Sequence, residues 1–219
     1  MVERKVPTTG SRSGADRARP YLPAMGHRRL LALYGPLTRL VGLPRVHREL
    51  LERAELRSGQ RVLEIGCGPG GLLRLARRRH PDVDLAGLDP DPDALDRARR
   101  RLGPATRLER GFADALPYPD ASVDRVLSSF MWHHLDPADK PAVSREIARV
   151  LRPGGQLHLV DVAGAGPTHW PLRRLARRHS HDRPEDLMAL LGNAGLTGIA
   201  VVQRSSARLG TYAFYRGTR

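Results

Sequence analysis

Val62-Leu63-Glu64-Ile65-Gly66-Cys67-Gly68-Pro69-Gly70-Gly71 is the stretch on which the fold turns. A short apolar run passes directly into a loop with four glycines, and a helical pattern follows at Leu72-Leu73-Arg74-Leu75-Ala76. Glycines let a backbone turn sharply and approach a ligand with no Cβ in the way. A strand that ends in such a loop puts a small-molecule site at the carboxyl edge of a parallel sheet.

The loop does not choose its ligand alone. Gly66, Gly68 and Gly71 satisfy the Gly-x-Gly-x-x-Gly spacing, which NAD, FAD and S-adenosylmethionine sites share with plain tight strand–helix turns. The neighbours separate them. Pro69 removes a backbone N–H, and a pyrophosphate cradle depends on such groups at a helix start. Glu64 stands two residues before the first glycine. Its carboxylate suits the ammonium of S-adenosylmethionine, a cofactor without phosphate.

Downstream, apolar strand patterns alternate with helical ones. Strands are expected at residues 61–65, 84–88, 106–109, 123–128 and 156–160, with helices at 71–79, 92–101 and 140–150. This alternation points to βαβ units and a parallel sheet. Pro153-Gly154-Gly155 is expected to stop the 140–150 helix sharply. A short helix at 184–193 and two strands, near 196–203 and 211–215, close the chain.

In order along the chain, Glu64-Ile65-Gly66-Cys67-Gly68-Pro69-Gly70 resembles the first motif of the class I S-adenosylmethionine-dependent methyltransferases. Leu85-Ala86-Gly87-Leu88-Asp89 resembles their second strand with its terminal acid. Gly111-Phe112-Ala113-Asp114-Ala115-Leu116-Pro117 resembles the adenine-contacting loop, Ser122-Val123-Asp124-Arg125-Val126-Leu127-Ser128-Ser129 the fourth strand, and Leu151-Arg152-Pro153-Gly154-Gly155-Gln156-Leu157 the turn before the fifth. The set covers residues 60–162 and is most similar to the small-molecule branch that includes quinone biosynthesis, which Tyr34-Gly35-Pro36-Leu37-Thr38-Arg39-Leu40 also resembles. The resemblance implies an α/β fold of Rossmann-like, doubly wound type. Its sheet would have seven mostly parallel strands, an antiparallel hairpin at the C-terminal edge and an N-terminal helical cap.

The expected organisation is a disordered tail over 1–20 and a single domain over 21–219. That domain divides into a helical cap (21–58), a cofactor-binding core (60–162), and an insertion with terminal strands (163–219). Cap helices are expected at 27–41 and 44–54, with Tyr21 and Tyr34 as their aromatics.

The resemblance implies S-adenosylmethionine as cofactor, held by Glu64, Gly66, Cys67, Gly68, Gly70, Asp89, Pro90, Ala113, Asp114, Ser128 and Ser129. An acid at the end of the second strand can accept hydrogen bonds from both ribose hydroxyls, and Asp89 is that acid. The alternative for Asp89 is a helix N-cap, which Asp91 can supply as well. By resemblance the Asp114 carboxylate accepts from the adenine amine, and the Ala113 N–H faces a ring nitrogen. Cys67 reads as a small loop residue.

Methyl transfer is a displacement at a sulfonium, and the protein mainly supplies proximity and, where needed, a base. Phe130-Met131-Trp132-His133-His134-Leu135 follows the fourth strand, where acceptors bind in this fold. His133 is the first candidate base and His134 the second, each against a structural alternative in which the imidazole bonds backbone. His169, Trp170, His179 and His181 are further candidates to line the acceptor pocket. The spacing of His179, His181 and Asp182 does not amount to a metal site, and no metal is expected.

The chain has 219 residues, one cysteine and a formal net charge of +14, every basic residue but Lys5 and Lys140 being arginine. One cysteine excludes an internal disulfide. No apolar run suits a membrane span, no apolar segment of signal type opens the sequence, and cytoplasm is the expected compartment. The charge allows an RNA or other polyanionic acceptor as the alternative. Ser128-Ser129-Phe130-Met131 stands where base-amine methyltransferases carry Asn/Asp-Pro-Pro-aromatic, so nucleic acid is disfavoured. Arg77–Arg79 and Arg99–Arg101 fall at expected helix ends, where cations suit the dipole. Arg173, Arg174, Arg177 and Arg178 could attract an anionic acceptor. A small-molecule acceptor, and a monomer or homodimer, complete the expectation.

Overall fold

The computed structural model describes residues 42–163, 183–207 and 210–219. The expected tail, the 27–41 helix, Tyr21, Tyr34, His169, Trp170, His179, His181, Asp182 and the arginines of 173–178 lie outside them.

Helices and strands alternate as α1 (Leu43–Ala54), β1 (Arg61–Ile65), α2 (Gly71–Arg79), β2 (Asp84–Asp89), α3 (Pro92–Leu102), β3 (Arg107–Arg110), β4 (Val123–Ser129), α4 (Lys140–Val150), β5 (Leu151–Val162), α5 (Pro184–Asn193), β6 (Thr197–Ala207) and β7 (Gly210–Thr218). A single 3₁₀ turn, Trp132–His134, follows β4. The described strands form one seven-stranded sheet in the order β3-β2-β1-β4-β5-β7-β6. Its first five strands run parallel, and β7 lies antiparallel to both β5 and β6. This is the expected doubly wound sheet with its C-terminal antiparallel edge.

Side-chain alternation sorts the core into two layers. Val62, Leu85, Leu127, Val160 and Phe214 face Leu50, Leu51, Leu72, Leu73, Leu95 and Ala98 of α1–α3. Leu63, Ile65, Leu88, Val126, Leu157 and Leu159 face Val143, Ile147, Leu187 and Leu191 of α4 and α5. Helix α1 belongs to the first layer. Val46, Leu50 and Ala54 recur at four-residue spacing, are buried, and lie on one face for that reason. Arg125 Nε bonds the Ala54 carbonyl at 3.0 Å and pins the end of α1 to β4.

Local chemistry sets the ends. Asp91 caps α3, its carboxylate accepting from Asp93 N–H and Ala94 N–H as an N-cap acid does. Arginines 77–79 and 99–101 do fall in the last turns of α2 and α3. Arg79 pairs with Glu52 and Arg99 with Asp96, so part of the charge is spent within the surface. Pro153-Gly154-Gly155 does a different job from the one expected. Helix α4 ends at Val150, and Leu151 already has extended backbone. The Pro-Gly-Gly lies in the register shift between the Val123–Leu151 and Arg125–Gln156 pairs of β4 and β5. There Gly154 N–H and Gly155 C=O bond the chain end at Arg219.

Candidate active site at the switch point

Strand order reverses between β1 and β4: β1 continues to β2 on one side and pairs with β4 on the other. In such sheets the crevice at the carboxyl ends of these two strands is where ligands bind. Ile65 stands beside Ser128 in the register, so the glycine loop and the β4 exit share one end of the sheet.

The loop is held from beneath. Gly66 N–H and Cys67 N–H both donate to Leu88 C=O, at 2.8 and 3.0 Å. Gly66 has φ +69° and Gly68 φ +50°, a region that side-chain-bearing residues pay to enter. The two differ in surroundings. A Cβ on Gly66 would overlap Met131, whose own Cβ lies 2.7 Å from that position, whereas a Cβ on Gly68 meets nothing within 4 Å. Gly66 admits Met131, and Gly68 keeps the loop surface bare.

Two carboxylates flank the loop. Asp89 accepts from Gly68 N–H at 2.7 Å through Oδ2 and from Asp91 N–H at 2.9 Å through Oδ1. Each oxygen keeps a second lone pair for another donor. Burial raises its pKa to about 6, against the pull of those two N–H groups. Glu64 is 3% exposed, and its Oε2 has no hydrogen-bond partner. Burial, and then the charge of Asp89, push the Glu64 carboxyl well above the usual range. A buried acceptor without a donor is costly, and a cationic or N–H-bearing ligand would relieve it. A pyrophosphate would meet two carboxylates instead. The Cys67 thiol is pushed well up, by burial first and then by Glu64 and Asp89. It is held as an unreactive thiol, in keeping with its reading as a small loop residue.

Ser128 and Ser129 end β4 on opposite faces. Ser128 Oγ is buried without a partner. Ser129 Oγ lies 3.1 Å from His47 Nε2, so α1 reaches the site. His47 Cε1 is 3.4 Å from the position a Gly71 Cβ would take, and burial lowers the imidazole to about 4, which keeps it neutral. Sequence reading missed His47, because a histidine on an amphipathic helix carries no sign of the strand it will meet. Ala113 is buried in the turn after β3, closed by Ala115 N–H to Phe112 C=O, and Gly111 N–H reaches Asp89 C=O at 3.3 Å. The Ala113–Asp114 segment therefore starts beside Asp89, at the hydrogen-bonded Gly111. Pro90 C=O accepts from Arg110 Nε at 3.3 Å, and Gly70 caps α2 with φ +75°.

Beyond Ser129 the chain turns through Phe130, a non-glycine residue at φ +52°, the kind of strain that clusters at functional sites. Its N–H still bonds Val160 C=O at 2.8 Å. The turn sends Met131 over Gly66 and starts the 3₁₀ turn that carries both histidines. The rings of His133 and His134 lie 4.0 Å apart between centroids. Asp161, at the end of β5 and 3% exposed in its side chain, meets His133 Nδ1 through Oδ1 at 2.6 Å. Asp161 also accepts from Trp132 N–H and Val162 N–H, each at 2.7 Å. Asp161 too was missed by sequence reading. It reads as one more residue of a buried strand until β5 is laid beside β4.

Comparison with known proteins agrees with this geometry. Residues 62–155 match the family model described as a methyltransferase domain. The chain is 39% identical over 107 residues to the demethylmenaquinone methyltransferase of Deinococcus radiodurans, covering 48% of this chain and 44% of that protein. It is 43% identical over 112 residues to the 27-O-demethylrifamycin SV methyltransferase of Amycolatopsis mediterranei, covering 48% and 40%. The chain thus spans less than half the length of these relatives. The solved structure of Haemonchus contortus phosphoethanolamine N-methyltransferase 2, in complex with phosphomonomethylethanolamine and S-adenosylhomocysteine, superposes with a TM-score of 0.69 at 17% identity. That match covers 80% of this chain and 52% of that one. Over residues 62–155 the chain matches a methyltransferase domain, and its fold is shared with the methyltransferase structure superposed on it.

Proposed function

We propose that this protein transfers the methyl group of S-adenosylmethionine to a small-molecule acceptor. The observation that carries the reading is the buried, unpartnered Glu64 Oε2 beside a glycine loop that Pro69 has deprived of an N–H. This end of the sheet suits an ammonium and a sulfonium and repels a phosphate. Glu64 would take the ammonium, directly or through water. Asp89, already positioned by Gly68 and Asp91 N–H groups, would take the ribose hydroxyls. Gly66, Cys67, Gly68 and Gly70 would supply the close-fitting loop, Pro90, Ala113 and Asp114 the adenine side, and Ser128 and Ser129 the methionine end.

The bound cofactor supplies an already activated methyl group. The chain's own work is to hold donor and acceptor in line, to exclude water, and to accept a proton where the acceptor carries one. The Asp161 carboxylate at its Nδ1 favours His133 for that last step, with the His134 ring 4.0 Å away and tilted by 39°. Two relatives whose names specify small-molecule methylation support the acceptor class. Among the described residues no helix is long and apolar enough to cross a membrane. Titration calorimetry tests the reading. S-adenosylmethionine should bind stoichiometrically and NADH should not, and the reverse order would overturn the assignment.

A further inference from the structure

We infer that the outer face of α1, α2 and α3 is a docking surface for an anionic lipid bilayer, to which the protein adsorbs through arginines without inserting. The inference goes beyond the methyltransferase reading and does not depend on it. It starts from where the net charge of +14 is carried.

The three helices on one side of the sheet hold eleven arginines and four acids. On the other side, α4 and α5 hold three basic residues and three acids. An arginine-rich composition alone would load both layers alike. Glu49, Glu52 and Asp96 are paired within the first layer, with Arg53, Arg79 and Arg99. Arg45, Arg48, Arg74, Arg78 and Arg100 are exposed and make no ion pair among the described residues. Their spacing aims them together. Arg45 and Arg48 are three residues apart and Arg74 and Arg78 four, so each pair shares one side of its helix. That side lies opposite the buried Val46 and Leu50 of α1 and the buried Leu72 and Ala76 of α2. Arg100 stands likewise opposite Leu95 and Ala98 of α3. Helix α2 packs against both α1 and α3, and packed helix axes lie about 8–10 Å apart, so the arginines form a field about 20 Å wide.

The chemistry of the field selects its partner. Guanidinium groups bond phosphate and carboxylate oxygens in pairs. The three helices contain no aromatic residue, so nothing on them stacks on the bases of a single-stranded nucleic acid. Protein partners are held by large side chains buried at the centre of the contact. Among the described residues the exposed large hydrophobic is Val202, on β6, so the field offers no such anchor. A broad array of lipid headgroups asks for charge alone, and each basic residue near an anionic leaflet strengthens adsorption roughly fivefold. One end of the field borders the crevice. Arg45 and Arg48 flank His47, which reaches Ser129. Adsorption therefore brings that end of the crevice close to the lipid surface.

Sedimentation of the full chain with phospholipid vesicles tests the inference. At about 0.1 M salt the wild type should bind phosphatidylcholine vesicles containing about one quarter phosphatidylserine, and should not bind phosphatidylcholine alone. Salt at about 1 M should release it, because the screening length falls from about 10 to 3 Å. Arg48→Gln/Arg78→Gln should lower the partition coefficient about twentyfold. Arg145→Gln/Arg204→Gln removes the same charge from the other side, where Arg204 meets Glu185 of α5, and should lower it by about twofold at most. Circular dichroism checks that both variants are folded. Absent binding to the anionic vesicles, equal binding to both vesicle types, or equal losses from the two variants overturns the inference. A single-stranded RNA oligonucleotide supplies the competing occupant. Tighter binding to RNA than to the anionic vesicles per negative charge, weakened by Arg48→Gln/Arg78→Gln, would overturn it too and assign the field to nucleic acid.

Discussion

Substituting Gly66 and Gly68 separately by alanine distinguishes two reasons for glycine within one loop. Both have positive φ, +69° and +50°, so each variant carries the left-handed strain of about 1–2 kcal/mol. Only Gly66→Ala also drives a methyl group into Met131, whose Cβ lies 2.7 Å from the new atom. Overpacking of that kind adds about 1–3 kcal/mol. Gly66→Ala should therefore cost about 2–5 kcal/mol and Gly68→Ala about 1–2, partly offset by the stiffer unfolded chain. For a chain of this size about 3 kcal/mol lowers Tm by roughly 6–12 °C. Urea unfolding with linear extrapolation measures both variants. Met131→Ala in the Gly66→Ala background removes the closer overlap, with Cγ, and should recover part of the loss. Met131 directly precedes the turn bearing His133, so Gly66→Ala should also lower turnover per folded molecule. Equal destabilisation by the two alanines, or no recovery with Met131→Ala, would refute the packing argument.

Asp89→Asn keeps the size and loses the charge, and S-adenosylmethionine affinity should fall by about 1.5–3 kcal/mol, the scale of hydrogen bonds to a charged group; calorimetry reads it. Glu64→Gln should weaken cofactor binding while stabilising the unliganded fold at alkaline pH. The Glu64 carboxyl is raised in the folded state, so its contribution is present at low pH and lost as pH rises. Denaturation of Glu64→Gln at pH 6 and 9 that follows the wild type at both would contradict this. His158 behaves oppositely. Burial first, then Arg125 and Arg216, lower it from 6.5 to about 4. Between those values the unfolded chain binds a proton that the folded one does not. Stability present at pH 7 is lost as pH falls, by about 2 kcal/mol at pH 5. His158→Gln should flatten that part of the acid limb in urea titrations at pH 5 and 7.5.

Much of the site follows from patterns a few residues long. The glycine loop, the acid ending β2 and the Asp91 cap each depend on neighbours close in sequence, because backbone conformation and capping are local matters. Strand and helix limits were legible for the same reason: α2, α4 and α5 run over the residues expected of them. Pro153-Gly154-Gly155 was misread because a helix stop and a strand irregularity use the same residue types. The partner that distinguishes them is Arg219, at the far end of the chain.

The sequence by itself determined the fold class, the glycine loop and the two acids at its edge, since periodicity and residue chemistry suffice for these. Only the tertiary structure decided which side chains meet there. His47 reaches Ser129 across 82 residues, Met131 fills the space a Gly66 side chain would need, and Asp161 takes hold of His133 across 28. Each pairing arises because β1, β4 and β5 lie side by side in the sheet. No local pattern encodes that adjacency; burial of the two apolar layers enforces it.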